Sequence, residues 1–131
     1  MNLFDQFLKF TEEQGINPDD IYKEQREDFS IVSFGEQGEP DAIYNITLVF
    51  YKDNDLVEIS VRKLIDTEDM FDILKRVNEL NADYMGVSFF VENSLISVKT
   101  VCNAKGDIEV VLKTMVQNMQ IASTEFVKFK N

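Results

Sequence analysis

Two runs of residues, Ile43 to Lys52 and Leu56 to Leu64, alternate apolar with polar side chains, and this alternation restricts the chain more than any other feature. A period of two matches the pleat of a β-strand and conflicts with the 3.6-residue period of a helix, so each run is predicted to be a strand with one buried face. The polar stretch between them predicts a tight hairpin in which Asn54-Asp55 takes positive φ angles. With those residues as the loop, Phe50 faces Ile59, Leu48 faces Val61 and Tyr44 faces Ile65 on the inward side. Tyr51 with Glu58, Val49 with Ser60 and Thr47 with Arg62 then pair outward. A slip by one residue would turn the apolar set toward water.

A second hairpin shows the same sorting. Val87 to Glu92 and Leu95 to Cys102 flank Asn93-Ser94, which puts Val91 opposite Ile96 and Phe89 opposite Val98 inside, with Phe90 opposite Ser97 and Ser88 opposite Lys99 outside. A further strand is predicted over Phe29 to Phe34, followed by a loop through Gly35-Glu36-Gln37-Gly38-Glu39-Pro40-Asp41.

Three segments have helical spacing. Asn2 to Gln14 carries a stripe of Leu3, Phe4, Phe7, Leu8 and Phe10, with Asn2 as cap and Gly15 as stop. Asn17-Pro18-Asp19-Asp20 favours a short helical piece. Asp66 or Thr67 is predicted to cap a second helix through Leu80, its core side made of Met70, Phe71, Ile73, Leu74, Val77 and Leu80. A long last helix begins after Gly106-Asp107 with Ile108, Val111, Leu112, Met115, Met119, Ala122, Phe126 and Phe129. The order is helix, three strands, helix, two strands, helix, an α+β fold with a five-stranded antiparallel sheet.

Composition narrows the chemistry. The 131 residues suffice for one domain, 1–131, with one core. There are 24 acidic and 13 basic residues, a net charge of −11 that repels nucleic-acid phosphates and anionic lipid heads. The chain has no His and one Cys, Cys102, which removes histidine bases and thiolate zinc cages. Cys102 reads as a small hydrophobe. No cofactor or metal is expected. Asp53-Asn54-Asp55 starts like a calcium loop, but Glu58 and Leu64 stand where that loop needs Gly and Glu. The start at Met1 lacks a basic leader, and no stretch nears the roughly 20 apolar residues of a membrane span, so a cytoplasmic protein is expected.

The segment Val77-Asn78-Glu79-Leu80-Asn81, leading through Gly86 into the hairpin around Asn93-Ser94 and the long last helix, looks like a helix that ends in an Asn-rich turn before a short two-strand hairpin. With the element order it resembles the YbjN family and, more distantly, the type III secretion chaperone-like fold to which that family is similar. The family hairpin turns through an acidic, Gly-containing loop, whereas Asn93-Ser94 has no Gly. The resemblance implies a non-enzymatic protein. Secretion chaperones of this fold are small acidic homodimers that hold a partner chain in extended form, and YbjN-like proteins are described as regulatory. It supplies no catalytic residues.

The residues themselves point the same way. Ile43, Val49, Tyr51, Phe90 and Leu95 interrupt an otherwise polar outward sheet face, the composition of a protein-contact surface. Residues 1–58 carry a net charge of −10 against −1 for residues 59–131, so Glu12, Glu13, Asp19 and Asp20 form an acidic surface suited to a basic partner. A polypeptide-binding module, acting as a homodimer with a protein partner and without nucleic acid or membrane, is therefore expected. The competing reading is a small-ligand or enzymatic domain with a pocket between the sheet and the last helix, lined by Met115 and Met119. It would need converging inward polar groups, and Tyr44 is the obvious one in the central strands.

Overall fold

The computed structural model describes residues 1–37 and 42–130. Among these, α1 is Leu3–Glu13, β1 Ile21–Gln25, β2 Phe29–Gln37, β3 Ile43–Tyr51, β4 Leu56–Leu64, α2 Met70–Asp83, β5 Ser88–Glu92, β6 Leu95–Asn103 and α3 Ile108–Glu125. The strands make one antiparallel sheet in the order β1-β2-β3-β4-β6-β5. The α+β class is as the sequence indicates, but the sheet has six strands and not five. The additional one, β1, is an edge strand joined to β2 by Glu27-Asp28, with the Arg26 amide donating to the Phe29 carbonyl at 2.8 Å. Its run Ile-Tyr-Lys-Glu-Gln holds too few apolar residues for alternation to reveal it. The short helical piece before it is a single 3₁₀ turn, Pro18–Asp20, capped by the Asn17 side chain. Gly35 to Gln37 continue β2, and Gly38 to Asp41 of the expected loop lie outside the described residues.

The hairpin of β3 and β4 corrects the expected register. Phe50 opposes Val57, Leu48 opposes Ile59 and Tyr44 opposes Lys63, a shift of two residues from the reading above. The loop is Lys52 to Asp55, and none of its residues takes a positive φ. It is held by the Leu56 amide donating to Asn54 Oδ1 at 2.9 Å and the Lys52 amide donating to the Asp28 carbonyl. A shift of two leaves every side chain on its own face, so burial alone could not distinguish the two registers. The β5–β6 hairpin pairs as read, and Asn93 and Ser94 both have positive φ, 53° and 64°, as a primed turn requires.

All three helices cover one face. Asn2 Oδ1 caps α1 by accepting from the Asp5 amide, and Gly15 ends it at φ 76°. Phe4 packs edge-on against Phe50, and Phe7 meets Phe34 and Phe50. Capped by Asp107, α3 buries Val111, Met115 and Ala122 over β4 and β6. Phe126, in the 3₁₀ turn that follows α3, meets Phe89 of β5. Each buried Phe or Met contributes about 1.5–3 kcal/mol of transfer free energy before entropy is counted. Helix α2 starts later than expected. Asp66 and Asp69 both cap turns, and α2 begins only after Asp69, which accepts from the Asp72 amide. Ile73 and Val77 are its buried residues, Leu80 is half-buried, and Met70, Phe71 and Leu74 face solvent, contrary to the expected core stripe. No described helix is long and apolar enough to cross a membrane.

Candidate functional site

The opposite face of the sheet is covered by no described element, and it gathers Ile43, Val49, Tyr51, Phe90 and Leu95 as their alternation indicated. Cross-strand pairing extends the set. Phe29 opposes Tyr51 with ring centroids 6.4 Å apart, Ile31 opposes Val49, and Glu58 opposes Val101, which makes one apolar end of the face. At the other end Leu64 opposes Leu95, and Ile43 is 68% exposed. Phe29, Ile31, Leu64 and Val101 were not among the residues singled out from the sequence. Their outward parity becomes usable only once the β2–β3 and β4–β6 registers are known.

Between the apolar ends runs a polar band. Arg62 Nη2 donates to Asn45 Oδ1 at 3.0 Å and to Thr47 Oγ1 at 2.8 Å. Asn45 Nδ2 donates to Ser33 Oγ at 2.9 Å, and the Ser33 and Thr47 hydroxyls are 3.1 Å apart. Asn45 and Thr47 of β3, themselves held by Ser33 of β2, thus fix one guanidinium nitrogen of Arg62 on β4. Lys99, on β6, is paired with Glu58 at 3.1 Å, and its ammonium sits 5.5 Å from the Phe90 ring centroid.

The two sheet edges differ in how they oppose strand addition. The β5 edge is capped by a side chain: Asn81 Nδ2 donates to the Phe89 carbonyl at 2.9 Å, and the Phe89 amide donates to Asn81 Oδ1 at 2.8 Å. The five-residue β1 carries Lys23 on its helix-side parity, opposite Val32, a charge that discourages another strand from docking.

The acidic candidates do not join this face. Glu12 and Glu13 end α1, which packs on the covered side, and Asp19 and Asp20 form the turn before β1. All four are exposed, and the sheet-face and acidic groups form two separate surfaces.

The covered side is filled. Asn118, fully buried on α3, donates to the Ile59 carbonyl at 3.2 Å and accepts from Thr100 Oγ1 at 3.1 Å, while Met115 is buried and Met119 half-buried in the packing. A cleft of about 570 Å³ lies between the start of α1 and the β3–β4 turn, and one of about 430 Å³ lies between α2 and the chain end. Neither is lined by α3, and the depression of about 380 Å³ that takes in Met119 is an open surface hollow with Val116, Gln120, Ser123 and Thr124 of α3 itself, not a pocket against the sheet. Two inward polar groups stand in register. Tyr44 is buried with no partner for its hydroxyl among the described residues, and burial pushes that hydroxyl's pKa up. Lys63, missed in the sequence, is 2% exposed and donates to the carbonyls of Phe126 and Phe129 at 2.9 and 3.1 Å. Burial lowers its pKa, while the carbonyls at the end of α3 compensate its charge. The outward-inward alternation Val57-Ile59-Val61-Lys63 was the available signal for it. Cys102 is half-buried, and burial pushes its thiol up, away from a reactive thiolate. Among the described residues no group of three or more Cys, Asp or Glu side chains is placed to hold a metal ion.

No protein-family model matches this chain, and no curated protein matches it.

Proposed function

We propose that this chain is a non-enzymatic, chaperone-like or regulatory module of the cytoplasm that holds a segment of a partner polypeptide on the uncovered face of its sheet. The observation that carries this reading is a face with apolar side chains at both ends and a polar band between them, on a sheet whose β5 edge is capped by the Asn81 side chain. Four strands of nine residues and two of five, about 4.8 Å apart and about 3.3 Å per residue, give a face of order 700 Å², close to the ~800 Å² per partner of a standard interface. The likeness of the element order to the YbjN family and the type III secretion chaperone-like fold supports the same reading, although β1 is an addition to it. The acidic surface of Glu12, Glu13, Asp19 and Asp20 then biases partner choice from outside the face.

The homodimer belongs to the same reading and uses α2. Met70, Phe71 and Leu74 leave an apolar stripe on its exposed side, with Phe71 84% exposed. An antiparallel pairing of two α2 helices about Leu74 sets the apolar side chains of one copy against those of the other, so the stripe is self-complementary in apolarity, while Asp72 and Arg76 pair with each other on the other flank of the helix.

The test is panning of the immobilised protein against a random peptide library. Val49→Glu and Phe90→Glu are expected to weaken retained peptides by at least about tenfold while circular dichroism stays unchanged. Peptides held equally well by the variants overturn the reading.

A further inference from the structure

We infer that Arg62 determines the specificity of this face by taking the carboxylate of an acidic side chain that the partner segment presents between apolar residues. The inference rests on the proposed use of the face and adds the chemistry that the partner must bring. Arg62 sits in the polar band, half-buried, with apolar residues at both ends of the face. One terminal nitrogen is oriented by Asn45 and Thr47, while Nε is buried and has no acceptor among the described residues. No described carboxylate lies within ion-pair distance of it, in a chain with 24 acidic residues for 13 basic ones.

Other charged groups of the face are matched, while Glu92, opposite Leu95 at the β5 end, is exposed to solvent. Lys99 pairs with Glu58, and Glu24, at the β1 edge, accepts from Tyr22 and Arg26. Arg62 is thus a guanidinium held in place by neutral groups, partly stripped of water and without its counter-charge. A carboxylate satisfies such a fork with charge-assisted hydrogen bonds in a way that no neutral group does. The apolar ends require that the acid be flanked by apolar side chains rather than lie in an acidic run. A second copy docked symmetrically about this point would set Arg62 against Arg62, which disfavours it as the occupant. The net charge of −11 disfavours a nucleic-acid phosphate.

The probe is the peptide set retained from the random library, titrated against wild type, Arg62→Gln and Arg62→Lys. Retained peptides are expected to be enriched in Asp or Glu flanked by apolar residues. Arg62→Gln, and the acid-to-amide change in the peptide, are each expected to lower affinity by at least about tenfold, with little further loss when combined. Arg62→Lys keeps the charge but not the fork, and is expected to lose part of the affinity with the thermal midpoint unchanged; this separates recognition from a structural role of the Asn45-Thr47 network. Peptides that depend on Val49 and Phe90 yet lack the acid, or bind Arg62→Gln as tightly as wild type, overturn the inference and leave the face reading standing. A face that retains no peptide overturns both.

Discussion

Glu125 shows how a single buried charge ties stability to pH. Its side chain is 10% exposed, accepting from Lys128 Nζ at 2.7 Å and from the Tyr84 hydroxyl at 3.0 Å. The Lys128 hydrogen bond is the largest influence holding its carboxyl below the ordinary glutamate value, with Tyr84 adding to it against the opposing effect of burial. A carboxylate whose folded pKa lies below its unfolded one stabilises the fold fully above the unfolded value. That contribution disappears as pH falls from the ordinary glutamate range through the lower folded value. The urea midpoint of wild type is therefore expected to drop more on acidification than that of Glu125→Gln. Parallel acid limbs for the two proteins would contradict this assignment. The pKa of Lys63 is also lowered, but for the opposite reason. Its charged form is penalised by burial, so it is retained for the two carbonyls it satisfies, not for an ion pair.

The hairpins and α2 show which parts of the fold could be read from sequence and which could not. At Asn93-Ser94 the two-residue loop and its register follow from the pattern, because a two-residue loop matches the strand twist only as a primed turn with positive φ. Ser94 bears the cost of φ 64°. Ser94→Gly is expected to stabilise the protein by about 0.5–1 kcal/mol, read as a higher denaturation midpoint; an unchanged or lower midpoint rejects the strained-turn reading. At Lys52 to Asp55 the same reasoning gave the wrong loop, since alternation fixes parity but not a shift of two. For α2, a wide apolar stripe was taken for core. Only Ile73 and Val77 reach the sheet side fully, because α2 lies along the edge strand β5 and buries a narrow seam. The remaining stripe is the proposed dimer surface. Phe71→Glu combined with Leu74→Lys is expected to convert a sedimenting dimer to a monomer with helix content retained, and a wild-type monomer or an unaffected dimer contradicts it.

Taken as one body, the chain has all its described helices on one side of a six-stranded sheet and none on the other. The sequence carried the inward and outward sets of β3, β4, β5 and β6, and hence five residues of the candidate face. It did not carry β1, whose polar run has no periodicity, or the strand order that brings Phe29, Ile31, Val101 and Leu64 into line with them. Nor could it show that the acidic first half lies apart from the face, since that depends on which side α1 packs. The proposed function requires that a partner segment lie across the open face. Amide chemical-shift mapping of the isotope-labelled protein with the tightest library peptide tests this most directly. Perturbations are expected to cluster on Ile31, Val49, Tyr51, Arg62, Phe90 and Leu95. A cluster on α1, α2 or α3 with these amides unmoved would contradict it.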